Sequence, residues 1–235
     1  MNRPIAIWYH GLFFIGDPPV RLPSAFNIVY EQILQLRNSG LWDVASEIHI
    51  GINGSQESIP VGKSIFPDKA NVTYHGLQSR SENITIVMIE EWVKTHPGWI
   101  VLYLHSKGAT KIPGSRESRM ATAWRTAMMW DLVDGWRQCV HQLTAHDVVC
   151  SHWMWEQCDG SQHISPGNFW WATSDFLATL PSILKRERIK TSGLGAEESR
   201  FEAEVWIGNG RRPVVKAFRS QHIGPTAFLP YWSIQ

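Results

Sequence analysis

Trp99 to Leu104 reads WIVLYL, six apolar residues in a row, and His105-Ser106-Lys107-Gly108 follows at once. A run this short is too brief for a helix. Without polar alternation it is satisfied only as a strand covered on both faces, as the central strand of a parallel sheet is. Two further runs read as strands. Ile5 to Tyr9 (IAIWY) ends in His10-Gly11, and Glu47 to Ile52 (EIHIGI) ends in a polar Asn53-Gly54-Ser55 turn. Asn71 to His75 is a shorter third strand before the central one.

Helices separate these strands. Phe26, Val29, Tyr30, Ile33 and Leu34 repeat at helical spacing up to Arg37, and Gly40 stops that helix. Ser81 suits the cap of a helix running through Lys94, with Ile84, Val87, Met88 and Trp92 on one side and His96-Pro97-Gly98 at its end. The order β-α-β-β-α-β predicts an α/β sheet with helices on its faces. Ligands of such sheets sit beyond the carboxyl ends of the strands. That rule collects His10-Gly11, Asn53-Gly54 and His105 to Gly108 on one candidate rim. No G-x-G-x-x-G follows the first strand and no P-loop lysine motif is present, so a Rossmann dehydrogenase or P-loop enzyme is not expected.

The second half begins with cations. Lys107, Lys111, Arg116, Arg119 and Arg125 lie in or near a Gly/Pro-containing loop and the first turns of the next helix, a grouping that suits a diphosphate. The spacing predicts that helix from about Arg116 to Leu143. Met120, Trp124, Ala127, Met128, Leu132 and Trp136 form its buried stripe, with Asp131 and Asp134 on the solvated side. Asp147 to Cys150 reads as a strand and Ser151 to Gly160 as an aromatic loop.

His163 to Leu180 (HISPGNFWWATSDFLATL) combines a turn, an aromatic strand and a helix start. Ser165, Pro166, Gly167 and Asn168 make the corner, and Thr173 or Ser174 can cap the first free amides, with Asp175 in the first turn. Trp170 and Trp171 are strand neighbours, so one is expected inward and the other outward. An outward indole beside Asn168 and His163 would suit a sugar ring. Two core tryptophans are the alternative. Glu197 to Ile207 then reads as a helix. Its Glu202 and Glu204 are two apart and cannot both face one site, so a single carboxylate from it could act as a general base. His222 stands beside a late turn.

Composition narrows the class. Charge is balanced, 22 basic against 21 acidic residues, which argues against a nucleic-acid protein held by a basic face. Cys139, Cys150 and Cys158 are too few for a disulfide framework and form no C-x-x-C pair. No run approaches the roughly 20 apolar residues that span a bilayer, and no targeting segment is evident, so a cytoplasmic protein is expected. The 235 residues are read as one domain.

With these residues on the page the chain resembles a family. YLHSKG after the central strand, a Trp-rich helix, DVV, HISPGNFWWATSDFLATLP and AEVWIGNG, in that order from Ile5 to Pro225, resemble small GT-A-type glycosyltransferases of surface-polysaccharide and viral origin. The resemblance implies a GT-A-like α/β mixed sheet in a single domain, with a Rossmann-like nucleotide-binding half over 1–110 and an acceptor and catalytic half over 111–235. It implies a nucleotide sugar as donor, with His10, Gly11 and Asn53 near it and His105, Ser106, Lys107 and Gly108 at its diphosphate. His163, Gly167, Asn168, Trp170 and Trp171 would meet the sugar and acceptor. Glu204, or else Glu202, would be the base. The D-x-D pair that holds Mg²⁺ or Mn²⁺ in such enzymes is missing at the expected turn. His105 and His222 are the metal candidates in its place, and a lysine and arginines could neutralise the diphosphate without metal. The expected function is therefore sugar transfer to a carbohydrate hydroxyl, with inversion if the base is dedicated. A non-catalytic carbohydrate-binding protein on the same fold and a Trp-rich scaffold are the other classes.

Overall fold

The structure, a computed structural model, describes residues 3–13, 21–56, 60, 64–66, 69–76, 82–156, 162–185 and 202–218. Strands β1 (Ile5–Phe13), β2 (Glu47–Gly54), β3 (Asn71–Gly76) and β4 (Ile100–His105) are parallel, in the order β3-β2-β1-β4. The sheet continues through β8 (Trp170–Thr173), β5 (Val148–Cys150) and β9 (Val215–Ala217). Here β8 is antiparallel to both β4 and β5. The result is a mixed seven-stranded α/β sheet whose first half is Rossmann-like and parallel.

β1 runs further than its apolar core. His10 and Gly11 lie within its hydrogen-bonded ladder, where His10 pairs with Gly51 on one side and His105 on the other. An inner strand has partners on both edges, so its backbone stays in register after its side chains turn polar.

Alternation along the strands divides the core. Ile5, Ile7, Tyr9, Ile48, Ile50, Ile52, Ile100, Leu102 and Leu104 face one side, under α1 (Arg21–Asn38) and α4 (Arg116–Met129). Ala6, Trp8, Val101, Tyr103 and Trp170 face the other, packed by Ile86, Ile89 and Val93 of α3 (Asn83–Val93). The short α2 (Leu41–Val44) lies between α1 and β2, with Leu41 and Trp42 buried. Gly40 joins α1 to it at φ 75°, a left-handed turn that glycine adopts without strain.

The long helix expected from Arg116 to Leu143 is broken. Ser115 caps α4 by accepting from the Ser118 amide at 3.0 Å. A π-turn then occupies Trp130–Asp134 before α5 (Trp136–Gln142), closed by the Gly135 amide on the Trp130 carbonyl at 3.1 Å. A β-carbon on Gly135 would sit 2.6 Å from the Asp131 carbonyl oxygen, so this wide turn depends on glycine. It also corrects the placement of Asp131, which is half-buried and accepts from Ser151 Oγ at 2.6 Å; Asp134 is exposed as expected. Within the supposed loop from Ser151 to Gly160, β6 (Met154–Glu156) pairs antiparallel with β7 (Gln162–Ile164) as a separate ribbon.

After β8 the Thr173 hydroxyl caps α6 (Ser174–Leu177) by accepting from the Phe176 amide at 3.2 Å. The late acidic helix is α7 (Glu202–Trp206), and Ser81 lies outside the described residues. No described helix is long and apolar enough to cross a membrane.

Candidate active site at the β1–β4 switch point

From β1 the chain lays β2 and β3 to one side, then returns to place β4 on the other. The reversal lies between β1 and β4, and open α/β sheets bind ligands at the carboxyl edge of such a point. His10 and His105 are register partners across it. Both fall on the α3 side of the sheet by strand alternation, as does Asn53 on β2, and all three are buried.

Glu82, at the amino end of α3, completes the cluster. Its Oε2 lies 2.7 Å from Asn168 Nδ2 and 3.0 Å from the Tyr103 hydroxyl, and its Oε1 lies 3.4 Å from His105 Nδ1. The orientation of Asn168 follows from a neighbour. Trp170 Nε1 can only donate, and it lies 2.9 Å from Asn168 Oδ1, so the amide nitrogen must point to Glu82. The same reasoning fixes one nitrogen of His105. Its Nε2 is 2.7 Å from the Gly167 carbonyl oxygen, an acceptor, so Nε2 carries a hydrogen.

Burial would raise the Glu82 carboxyl, but His105, His10, the Asn168 amide and Lys107 together hold it below the usual range. Tyr103 is pushed well up by burial and by Glu82, so its hydroxyl keeps its proton and donates. His10 goes the other way. Burial lowers it to about 3 in spite of Glu82, which leaves a neutral ring near neutral pH. Its Nδ1 contacts Thr85 Oγ1 at 2.8 Å, and among the described residues its buried Nε2 has no partner.

The Ser165–Asn168 corner is a Pro-Gly turn, with the Asn168 amide donating to the Ser165 carbonyl at 2.9 Å and Gly167 at φ 85°. Asn168 is itself left-handed at φ 52°, unusual for a residue with a side chain, and bonds to Glu82 and Trp170 hold it there. The turn reaches α7, since the Ser165 amide donates to the Glu204 carbonyl at 3.1 Å. Asn83, next to Glu82, donates from Nδ2 to Glu202 Oε2 at 2.9 Å.

A family profile described as a domain of unknown function, DUF8361, matches residues 13–212. The chain belongs to the DUF8361 family. No curated protein matches this DUF8361 chain by sequence. Among solved structures it is similar to HddC from Yersinia pseudotuberculosis, at 11% identity and TM-score 0.46, over 92% of this chain and 90% of that one. It is similar to 4-diphosphocytidyl-2C-methyl-D-erythritol synthase from Anaerococcus prevotii, at 10% identity and TM-score 0.43, over 97% and 94%. A third is CMP:2-keto-3-deoxy-manno-octonic acid synthetase complexed with CTP, at 12% identity and TM-score 0.42, over 97% and 95%. The fold assignment rests on this chain's own strand order.

Several expected site residues of the DUF8361 chain do converge. Gly11 continues β1 opposite Ile52, and Ser106 Oγ accepts from the Leu12 amide at 2.8 Å, tying the turn after β4 to β1. Lys107 Nζ lies 3.9 Å from the Trp124 ring centroid. Gly108 turns the backbone at φ 95°, over Ala121 and Arg125. Arg125 is a correction: it is buried and donates to the Lys107 carbonyl at 2.8 Å and to Glu31 at 3.3 Å, so it braces the turn instead of facing a diphosphate. Arg116 and Arg119 are exposed and Lys111 is half-buried.

The tryptophan expectation is also corrected. Trp170 and Trp171 do point to opposite faces, but both are 0% exposed. β8 lies inside the sheet between β4 and β5, so each face is roofed. Trp171 donates to the Leu132 carbonyl at 2.8 Å, and Trp170 stacks on Tyr103 with ring centroids 5.2 Å apart. Neither indole can stack on a sugar; Trp170 is the floor of the polar cluster.

His105 fails as a metal ligand, because one ring nitrogen is spent on Gly167 and the other faces Glu82. Among the described residues no group of three His, Cys, Asp or Glu side chains could hold an ion. His222 lies outside those residues, and His163 is placed on β7, paired with Trp155. Glu82 is the residue that strand-end reasoning missed. It enters the site from the cap position of α3, and its sequence signal is an acidic residue just before the helix that precedes the central strand.

Proposed function

We propose that this DUF8361 chain is a GT-A-type glycosyltransferase that moves a sugar from a nucleoside-diphosphate sugar to a hydroxyl of a carbohydrate acceptor. The observation that carries this reading is the buried polar cluster of His10, Glu82 and His105 at the β1–β4 switch point, followed in the chain by the turn of Lys107 and joined to the acidic α7 through Asn83. His10, Gly11 and Asn53 would take the nucleotide, and Ser106, Lys107 and Gly108 the diphosphate. The acceptor oxygen attacks the anomeric carbon as the bond from that carbon to the diphosphate oxygen breaks. The acceptor proton passes to the carboxylate of Glu204, with Glu202 as the alternate, and the bonding pair leaves with the diphosphate. Lys107, with Lys111, Arg116 and Arg119 nearby, meets that charge. Gly167 and Asn168, with His163 on the adjoining ribbon, would border the sugar. Trp170 supports that wall from below, and Trp171 packs on the opposite face of the sheet.

The test is a panel of nucleotide sugars with glycan acceptors, read by thermal shift and by release of nucleoside diphosphate. A ligand that binds only the folded state raises its melting temperature. The expected result is a shift with one nucleotide sugar and acceptor-dependent release. A shift with glycan alone, and no release from any donor, overturns the reading in favour of a carbohydrate-binding protein. That second class has lost its main support, since the outward indole on which it relied is buried.

A further inference from the structure

Among the described residues, the Ser165 amide on the Glu204 carbonyl and the Asn83 side-chain amide on Glu202 tie α7 to the site. Both lead back to Glu82. Asn83 is its chain neighbour, and the 165–168 turn is held by Glu82 through Asn168 and by His105 through the Gly167 carbonyl. The proton count of the pair follows from its partners. Glu82 Oε2 accepts from two donors, as an ionised oxygen does, and Oε1 faces His105 Nδ1. His105 Nε2 is already a donor. Glu82 is held ionised by its surroundings, so a second hydrogen on Nδ1 makes both of these His105 contacts attractive, whereas a bare Nδ1 would set a lone pair against a carboxylate.

We propose that Glu82 is a positioning residue: with His105 it forms a buried carboxylate–imidazolium pair that fixes the 165–168 turn and, through it, the helix carrying the candidate bases. The pair is 17% exposed at Glu82 and 8% at His105. The other charged or titratable groups around it are His10 on β1, Tyr103 on β4, Lys107 after β4, His75 on β3 beyond His10, and Glu202 on α7. The pair itself is a statement about structure. Its consequence for turnover rests on the transferase reading.

Three readouts test it, two of them without any substrate. In ¹⁵N NMR at neutral pH, with His105 assigned by its loss in His105→Gln, both ring nitrogens should be protonated in the native protein. One unprotonated nitrogen overturns the pair. In Glu82→Gln the amide exchange of Ser165 and Asn168 should accelerate about tenfold or more, as loss of a charge-assisted anchor opens a local unit, while Val29 in α1 stays unchanged. Equal protection at Ser165 in the two proteins overturns the positioning role. If Glu82→Gln does not fold, Tyr103→Phe removes one donor to the same oxygen and is read at the same amides with the same criterion. On donor and acceptor, Glu82→Gln should lower kcat about tenfold to a hundredfold, the scale of a displaced base, with nucleotide Kd nearly unchanged. An unchanged kcat, or a parallel loss of nucleotide binding, overturns the catalytic consequence. A native protein that transfers no sugar, with the exchange difference intact, removes the transferase reading and leaves the positioning role standing.

Discussion

Asn168 Nδ2 lies 2.7 Å from Glu82 Oε2, and the backbone that aims it there is held at φ 52°. A left-handed residue with a side chain persists only where its surroundings fix it, and here Glu82 takes one end of the amide and Trp170 the other. Asn168→Asp keeps the shape and replaces a donor by a second negative charge. It should destabilise the protein by about 3 kcal/mol near neutral pH, and by less in acid as the new carboxyl protonates. Urea unfolding at two pH values measures both. A variant as stable as the native protein would mean that Glu82 does not need this donor.

Gly167 and Gly98 offer a controlled comparison, since both have positive φ, 85° and 77°. A β-carbon on Gly98 meets nothing within 4 Å, whereas one on Gly167 would lie 2.7 Å from Met128 Sδ and 3.2 Å from Trp124. Gly98→Ala should cost about 1 kcal/mol, the backbone penalty alone, and Gly167→Ala about 3 kcal/mol. Denaturant midpoints of the two variants decide it, and equal losses would show that the core beside the turn can yield.

The buried His10 makes stability depend on pH. Its folded value, about 3, is below the ordinary one because of burial, so on acidification the unfolded chain takes a proton that the native state refuses. Stability is full above about pH 6.5 and is lost as the pH falls towards 3, by about 1.4 kcal/mol per pH unit for each such proton. His49 and His75 are also lowered by burial and act in the same direction. Glu82, held low, adds its loss only below the ordinary carboxylate range. His10→Asn should reduce the slope between pH 6 and 4 by about one proton, as read from unfolding free energies across that range. An unaltered slope would show that His10 protonates in the folded protein.

Glu204→Gln and Glu202→Gln test the base assignment. Removing a general base lowers turnover by about 10² to 10⁴. Glu204→Gln should show that loss with little change in melting temperature, whereas Glu202→Gln should show a smaller one, because its carboxylate is engaged with Asn83. The reverse order would move the role to Glu202. Normal turnover in both would remove α7 from the chemistry.

Local chemistry decided much of this protein. Apolar runs ending in His10 and His105 marked β1 and β4, because burial on both faces leaves no room for alternation, and the recurring Ile48, Ile50 and Ile52 before Asn53 marked β2 beside them. Ser165 to Asn168 and Thr173 were legible for the same kind of reason, since a Pro-Gly corner and a hydroxyl cap are formed by residues within four positions of each other.

What the chain order could not reveal is anything set by distant partners. Insertion of β8 between β4 and β5 buries both Trp170 and Trp171, and no property of the dipeptide predicts which strands flank it. Arg125 and Asp131 look like surface charges until Lys107, Glu31 and Ser151 arrive from other segments. Glu82 becomes the hub of the site only once Tyr103, His105 and Asn168, up to 86 positions away, close around it. Periodicity and capping are written in neighbouring residues; the burial and pairing of a charge are decided by long-range packing, and that belongs to the tertiary structure alone.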